Sequence, residues 1–210
     1  MLLSHLSDYK NIIWDWNGTL LDDVVVTLDC LNTQLGVSGL PTLDLDTMRR
    51  KFHFPVESFY RSLDFPEQEG SYDYLHQVYH AMYKDRLHAV SLFDGRHTLL
   101  ASLQGKGITQ YVLSAAPQAP LEALLQHFEI APFFSAIYGL SHSRADSKVE
   151  NGRRLLAAHQ LVPEDTIMVG DTDHDLEVGK ALGVDVLLLG DGHQHPEHLQ
   201  RIHPHVMVGV

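Results

Sequence analysis

The sequence predicts an α/β fold, namely a doubly wound parallel sheet into which a small helical domain is inserted. After Phe93, short apolar runs typical of buried strands alternate with helical patterns, as expected for a parallel sheet covered on both faces. Before that point, one apolar strand over about residues 10–15 is followed by helical patterns only, over residues 22–90. We therefore expect a core domain formed by residues 1–21 and 91–210, and a helical cap domain formed by residues 22–90.

The core elements follow from their patterns, taken in chain order. Helices carry apolar residues three and four positions apart, and strands are short apolar runs bounded by polar residues or glycine. The predicted elements alternate as GRHTLLASLQGKG (helix), ITQYVLS (strand), APLEALLQHF (helix), FFSAIYG (strand), NGRRLLAAHQL (helix), TIMVGD (strand), HDLEVGKALG (helix) and VDVLLLG (strand). Each strand is thus separated from the next by a helix, which is the connection that parallel strands need.

The insertion contains four helical patterns. They are, in order, VVVTLDCLNTQLG, LDLDTMRRKF, PVESFYRSL and EGSYDYLHQVYHAMYKDRLHAV. Gly36 ends the first pattern, and Pro55 is well placed in the first turn of the third. Cys30 is expected to be a half-buried packing residue, because it lies within an amphipathic pattern. The stripe on the fourth pattern is expected to be helix core and consists of Tyr72, Leu75, Tyr79 and Met82.

Composition excludes several functional classes. The chain has 210 residues, of which 44% are hydrophobic, and no run approaches the roughly 18 apolar residues of a membrane span. The N-terminus lacks the basic start and long apolar stretch of a signal peptide. A net charge of −12 disfavours nucleic acid as a partner but permits a small anionic substrate. With one cysteine, the chain is expected in the reducing cytoplasm. A monomer or a homodimer is expected.

The C-terminal segment GHQHPEHLQRIHPHVMVGV is rich in histidine. Its five histidines are His193, His195, His198, His203 and His205. Histidine binds transition metals, but this spacing fits no standard site and is interrupted by glycine and proline. We therefore expect a polar loop near the edge of the sheet.

Polar residues follow several of the predicted strands, where the active sites of open parallel sheets form. Asp15 follows the first strand, Ser114 the second, and the pair Asp171 and Asp175 follows the last but one. Lys148 lies in a polar region between two strands. Carboxylates of this kind bind Mg²⁺, and a lysine and a hydroxyl suit the oxygens of a phosphoryl group. The sequence therefore predicts a magnesium and phosphate site at this edge.

Four segments in this order resemble the motifs of the haloacid dehalogenase superfamily. They are DWNGTL at 15–20, VLSAA at 112–116, Lys148, and VGDTDHD at 169–175. The helical insertion after the first motif is similar to the cap of the phosphoglycolate phosphatase-like branch. Four motifs at plausible spacing are a specific signal, whereas one alone is weak.

This resemblance implies a role for each matching residue. Asp15 is the nucleophile that forms an aspartyl-phosphate, and Ser114 and Lys148 hold the phosphoryl group. Asp171 binds Mg²⁺ directly, and Asp175 acts in its outer shell or through water. The other Mg²⁺ ligands implied are Asp15 and the backbone carbonyl of Asn17. Backbone N–H groups near Trp16 and Ala115 contact the substrate.

Asn17 departs from the family pattern, which has an aspartate at this position. That aspartate usually protonates the leaving oxygen and later activates water, a contribution of about 10²–10⁴-fold. An asparagine donates a hydrogen bond but does not exchange a proton. Three consequences stay open: the substrate has a good leaving group, another acid such as His53 replaces it, or turnover is slow or absent.

The expected function is that of a Mg²⁺-dependent phosphohydrolase acting on a small phosphorylated metabolite. The alternative is a catalytically weak or inactive relative that binds a phosphorylated ligand. The cap segment RRKFHFPVESFY, residues 49–60, is the expected source of substrate selection. In it, Arg50 or His53 would meet the remote end of an anionic substrate, although cations at a solvated helix end need no such role.

Overall fold

The computed structural model describes residues 2–65, 71–140 and 147–210, and at its centre lies a six-stranded parallel sheet. The strands within these residues are β1 (Asn11–Trp14), β2 (Leu21–Asp22), β3 (Ser91–Leu92), β4 (Thr109–Pro117), β5 (Ala136–Leu140), β6 (Thr166–Gly170), β7 (Asp185–Leu189) and β8 (Val206–Met207). The sheet order is β5–β4–β1–β6–β7–β8, with every neighbouring pair parallel. The chain winds outward from β1 in both directions, which confirms the predicted doubly wound α/β class.

Strand β1 lies in the interior of the sheet. Trp14 pairs with Val112 of β4 on one side and with Val169 of β6 on the other. Ile12 and Trp14 pack into one apolar cluster, and Ile13 packs into a second. Apolar layers therefore cover both faces of β1, and this explains why the strand is a continuous apolar run instead of an alternating one.

The helices fill the connections between strands. They are α1 (Leu2–Leu6), α2 (Val24–Val37), α3 (Leu45–Lys51), α4 (Val56–Arg61), α5 (Ser71–Arg86), α6 (Arg96–Gly105), α7 (Gln118–His127), α8 (Lys148–His159), α9 (Asp173–Leu182) and α10 (Pro196–Ile202). Helix α9 shows how local sequence sets these bounds. It begins with a capping box formed by Thr172 and Asp175 and ends at Gly183, whose φ of +73° suits glycine.

Helices α2 to α5 form the inserted segment, which leaves and rejoins the sheet through two paired strands. β2 and β3 are antiparallel, with Leu21 opposite Leu92. The insertion has an apolar cluster of its own, whose buried residues are Val24, Leu31, Leu35, Met48, Phe59, Tyr60, Leu63 and Phe65. Tyr79 and Met82 of α5 pack instead against the main cluster beside the sheet. The division into two domains at residues 21/22 and 90/91 stays a prediction.

The C-terminal segment differs from the predicted polar loop, because it forms α10 and the edge strand β8. Pro196 occupies the first turn of α10, and the side chain of His195 accepts a hydrogen bond from the backbone N–H of Glu197. Leu199 is fully buried, and Val206 packs against the same cluster. The prediction was wrong because these few apolar positions, which fix the helix and the strand, are scattered among histidines.

Two smaller expectations concern single features of the chain. Cys30 packs in the core as expected, although it is fully buried and not half-buried.

Within the described part of the chain, no helix combines the length and the apolar character needed to cross a bilayer.

Candidate active site

Three carboxylates meet at the carboxyl ends of β1 and β6. Asp15 directly follows β1, and its backbone N–H donates to the carbonyl of Val169 in β6 at 2.8 Å. Asp171 directly follows β6, and Asp175 lies in the first turn of α9. One oxygen from each of Asp15, Asp171 and Asp175 can be chosen so that all three lie within 4.8 Å of one another. These side chains are buried, which makes their mutual repulsion strong unless a cation opposes it.

Lys148 supplies one positive charge to this cluster. It is the first residue of α8, and the side chain of Ser147 caps that helix by accepting from the N–H of Glu150. The Lys148 ammonium donates to Oδ1 of Asp15 and, at 2.6 Å, to Oδ1 of Asp175. Burial disfavours the charged lysine, but the charges of these two carboxylates outweigh it and raise the pKa of Lys148. The lysine is therefore held as a cation between two acids.

The cluster carries an excess of negative charge, because the single positive charge of Lys148 faces three carboxylates. The pKa of Asp15 is raised to about 8, chiefly by burial and also by the charges of Asp175 and Asp171, while the charge of Lys148 opposes the shift. A divalent cation would relieve this repulsion and keep Asp15 ionised at neutral pH. Oxygen ligands are those that Mg²⁺ prefers. The residues present therefore fit a magnesium site, with Asp15 and Asp171 as candidate ligands.

Asp175 accepts four hydrogen bonds from protein donors, and these occupy both of its oxygens. Its Oδ2 accepts from the N–H of Asp171 at 3.1 Å and from the N–H and hydroxyl of Thr172 at 3.0 and 2.7 Å. Its Oδ1 accepts from Lys148. Burial opposes its ionisation, but the charge of Lys148 and these hydrogen bonds prevail and lower the pKa of Asp175. This geometry suits a residue that orders the loop and orients the lysine.

The side chain of Asp171 is closely surrounded by backbone atoms and by hydrogen-bond donors. Its Oδ1 accepts from the hydroxyl of Thr19 at 3.0 Å, and its Oδ2 accepts from the backbone N–H of His193 at 2.7 Å. A Cβ atom added at Gly18 or at Gly192 would collide with the Asp171 side chain. Gly18 also has a φ of +70°, so glycine is required there for two reasons.

His193 belongs to this site, although the sequence predicts a polar loop near the edge of the sheet for this segment. Its ring lies between two acids, with Nδ1 3.1 Å from Asp171 Oδ2 and Nε2 3.5 Å from Asp23 Oδ1. Burial disfavours its charged form, but the charges of Asp23 and Asp171 outweigh it and raise the pKa of His193 to about 9. Its position after β7, the neighbour of β6, was the signal available in the sequence.

The amide of Asn17 is tied to the inserted helices. Its Nδ2 donates to Oδ2 of Asp23 at 2.7 Å and to the hydroxyl of Tyr83 at 2.9 Å. Tyr83 in turn donates to Asp23 Oδ2 at 2.6 Å, and the N–H of Gly18 donates to Asp23 Oδ1 at 2.9 Å. Asp23 and Tyr83 were not identified from the sequence, because their importance depends on contacts between elements far apart in the chain.

The remaining residues of the first two motifs are placed as follows. Ser114 is buried near the end of β4, and its hydroxyl accepts from the N–H of Ala116 at 3.0 Å. Ala115 is exposed. The ring of Trp16 is buried beside Phe128, so only the backbone of this residue is suited to a ligand. Contacts of Ser114, Ala115 and Trp16 with a substrate stay predictions.

Two cap residues predicted to meet a substrate are engaged elsewhere. Arg50 donates to Asp46 at 2.8 Å and to Glu197 of α10 at 2.8 Å. His53 Nδ1 lies 2.7 Å from the carbonyl oxygen of Lys51. Within the described residues, neither side chain hydrogen-bonds to the carboxylate cluster. Arg50 instead joins the inserted helices to α10, and a role for either residue in substrate binding stays a prediction.

Sequence comparisons show relatives of several activities. The chain is 29% identical to tyrosine-protein kinase PtkA of Mycobacterium tuberculosis over 90% of its length, and it spans 65% of that protein. It is 30% identical to a 5'-nucleotidase of Pseudomonas aeruginosa, over 93% of this chain and 89% of that protein. Proteins described as phosphoglycolate phosphatases are also among the relatives and the solved structures.

Comparison of structures agrees with the sequence comparisons. A haloacid dehalogenase-like hydrolase from Streptococcus pneumoniae superposes with a TM-score of 0.81 at 25% identity, covering 97% of this chain and 95% of that one. The sequence model of the haloacid dehalogenase-like hydrolases matches residues 12–189, a span from β1 to the end of β7. The chain therefore belongs to the haloacid dehalogenase-like hydrolase family, as its four motifs indicate.

Proposed function

We propose that the protein is a Mg²⁺-dependent phosphohydrolase that acts on a small phosphorylated metabolite through a phosphoryl-enzyme intermediate on Asp15. The observation that carries this proposal is the buried carboxylate of Asp15, which is held by Lys148 beside Asp171 and Asp175. Asp15, Asp171 and the backbone carbonyl of Asn17 would hold Mg²⁺, which supplies positive charge that offsets the charge of the phosphate. The phosphatase relatives support a hydrolytic reaction.

The reaction divides into two displacements at phosphorus. In the first, a carboxylate oxygen of Asp15 attacks phosphorus, and the bond to the leaving oxygen breaks with its electron pair going to that oxygen. In the second, water attacks the phosphorus of the aspartyl-phosphate, which frees the Asp15 carboxylate and inorganic phosphate. The Lys148 ammonium, together with the hydroxyl of Ser114, would stabilise the charge on the phosphoryl oxygens in both steps.

Asn17 determines which substrates suit this mechanism. An amide cannot give a proton to the departing oxygen, and Nδ2 of Asn17 already donates to Asp23 and Tyr83. A leaving group that is stable as an anion needs no proton, whereas an alkoxide does. We therefore propose that the protein favours acyl phosphates, enol phosphates or phosphoanhydrides over simple alkyl phosphates.

A catalytically weak relative that binds a phosphorylated ligand is the second candidate. The engaged amide of Asn17 favours it, because neither the leaving oxygen nor the attacking water finds a proton-exchanging group at this position. The cation and phosphate groups of the site would be retained in such a protein. It would bind inorganic phosphate in the presence of Mg²⁺ but release none from a phosphoester.

Phosphate release with Mg²⁺ from acetyl phosphate, an aryl phosphate, glycerol phosphate and phosphoglycolate separates the two candidates. We expect the fastest turnover with acetyl phosphate, slower turnover with the aryl phosphate, and the slowest with glycerol phosphate and phosphoglycolate. Asp15→Asn should abolish turnover of all four. Asp29→Asn, the same change at an exposed acid of α2, controls for folding and contaminating phosphatase. Release that is equal in the Asp15→Asn protein, or absent with every substrate, would remove the support for a phosphohydrolase.

A further inference from the structure

Asn17 forms a closed set of hydrogen bonds with one residue from each end of the inserted segment. Asp23 immediately precedes α2, the first inserted helix, and Tyr83 lies near the end of α5, the last long one. Asn17 contacts both residues within 2.9 Å, and Tyr83 and Asp23 are 2.6 Å apart. Residues 15–20, which follow β1 and are called the catalytic loop below, are thereby joined to the regions where the insertion starts and ends.

The chemistry of the three groups fixes the direction of every bond in this set. A carboxylate only accepts, so the Asn17 atom that faces Asp23 must be the nitrogen. Tyr83 donates its single hydrogen to Asp23, and its oxygen therefore accepts from Nδ2 of Asn17. The amide nitrogen is thus engaged within the set, whereas the carbonyl oxygen of the amide takes no part in it.

Asp23 is the acceptor at the centre of this arrangement. It is 2% exposed and accepts from the N–H of Gly18 as well as from Asn17 and Tyr83. The Nε2 atom of His193 lies 3.5 Å from its Oδ1. These hydrogen bonds hold the Asp23 carboxylate in one position. Any movement that broke them would leave a buried negative charge without donors, which is costly.

We propose that Asp23 and Tyr83 are positioning residues of the catalytic loop, and that Asp23 is the reason why position 17 carries an amide. Positions 17 and 23 together accommodate one carboxylate and one carboxamide. If position 17 carries a carboxylate, the carboxylate at position 23 must therefore be replaced by an amide. This inference rests on the proposed function for its effect on catalysis, but not for its effect on folding.

The physical reason is charge repulsion at hydrogen-bond distance. Asn17→Asp alone puts an oxygen where the amide nitrogen lies, 2.7 Å from Oδ2 of Asp23. Two buried carboxylates at this distance repel, and the single hydrogen of Tyr83 cannot satisfy both. Asn17→Asp combined with Asp23→Asn exchanges the two groups. The new amide at position 23 then donates to the new carboxylate, and its carbonyl oxygen still accepts from Gly18.

The test is a double-mutant cycle on the full chain with Asn17→Asp, Asp23→Asn and both changes together. Thermal unfolding in EDTA measures the interaction without any metal. We expect Asn17→Asp to lower the Tm by about 4 °C or more and the double substitution to recover most of this loss. Gln126→Glu, which adds the same charge at an exposed position of α7, should leave the Tm nearly unchanged.

Kinetic measurements distinguish positioning residues from residues that only stabilise the fold, because loss of stability alone would not change substrate preference. With a carboxylate returned to position 17, the double variant should raise the ratio of kcat/KM for glycerol phosphate over acetyl phosphate by about tenfold or more relative to wild type. Tyr83→Phe should lower kcat on acetyl phosphate with KM within about twofold, because it loosens the loop and not the phosphate contacts. Tyr74→Phe, an exposed tyrosine of the same helix, should change neither.

The outcomes separate this inference from the proposed function. Tm changes that simply add in the cycle, or a double variant no better than Asn17→Asp on glycerol phosphate, would overturn the inference. If no protein in the series releases phosphate in an Asp15-dependent manner, the proposed function fails. The unfolding cycle in EDTA then decides the inference alone, because non-additive Tm changes support it and additive changes overturn it.

Discussion

Lys148 bridges Asp15 and Asp175, with its ammonium hydrogen-bonded to one oxygen of each carboxylate. The three side chains are nearly inaccessible to solvent. The lysine comes from the start of α8, whereas the two acids come from the end of β1 and the start of α9. One buried cation therefore fixes the relative positions of three elements and of the proposed nucleophile.

Replacing Lys148 should destabilise the protein strongly. Lys148→Met keeps much of the side-chain volume but removes the cation shared by two buried carboxylates, and removing one member of a buried ion pair costs about 3–5 kcal/mol. Urea denaturation monitored by circular dichroism in EDTA measures this loss. Lys180→Met, at an exposed lysine of α9, is the matched control and should change the free energy of unfolding by less than about 0.5 kcal/mol. Equal effects of the two substitutions would contradict the bridging role.

Magnesium should stabilise the folded chain through the carboxylate cluster. A ligand that binds only the native state at 100 times its Kd adds about 2.7 kcal/mol to the free energy of unfolding. We expect a Mg²⁺-dependent rise in Tm that EDTA reverses and that Asp171→Asn removes. Asp29→Asn, an exposed acid, should retain the rise. A rise of the same size in the Asp171→Asn protein would show that Mg²⁺ binds elsewhere.

The capping box of α9 should contribute to stability as well as to the site. Thr172→Ala removes the hydroxyl that accepts from the Asp175 N–H and donates to its carboxylate. Loss of such a cap costs about 0.5–2 kcal/mol, and the orientation of Asp175 toward Lys148 should weaken with it. Thr33→Ala, in the middle of α2, should lie within about 0.5 kcal/mol of wild type in the same denaturation experiment. Indistinguishable effects at the two threonines would contradict this assignment.

Stability should fall in alkali partly through Tyr9. Its pKa is raised from 10.0 to about 12, chiefly by burial and also by its hydrogen bond to Asp185 at 2.8 Å. The unfolded chain therefore loses this proton at a lower pH than the folded chain, and the stabilisation present below pH 10 is lost as the pH rises to about 12. Tyr9→Phe should show a shallower decline across this range. Parallel curves for the two proteins would argue against a raised pKa.

The fold and the carboxylates of the candidate site could be predicted from the sequence, because local patterns encode them. Alternating apolar runs predicted the parallel sheet, and the rule that sites form at the carboxyl ends of strands led to Asp15 and Asp171. Burial on both faces of β1 makes this signal strong, since its three buried residues, Ile12, Ile13 and Trp14, are all apolar. The same rule, applied to β7, would have pointed to His193.

The residues that surround Asn17 were not accessible in this way. Asp23 lies on the short connection between β2 and α2, and Tyr83 is one aromatic residue in a helix that has several. Their importance comes from hydrogen bonds across 6 and 66 positions of the chain, which no local pattern records. The edge strand β8 was missed for a related reason. Its two apolar residues form a strand only by pairing with β7, and no local pattern predicts this pairing.

Detection of phosphate on Asp15 tests the proposed phosphoryl-enzyme mechanism most directly. The protein is mixed with acetyl phosphate and Mg²⁺, quenched in acid within the first turnover, and digested for mass spectrometry. We predict a phosphorylated peptide that contains Asp15, which is absent from the Asp15→Asn protein and disappears as turnover completes. Phosphate release without any modification of Asp15, or the same labelling in the Asp15→Asn protein, would contradict the account.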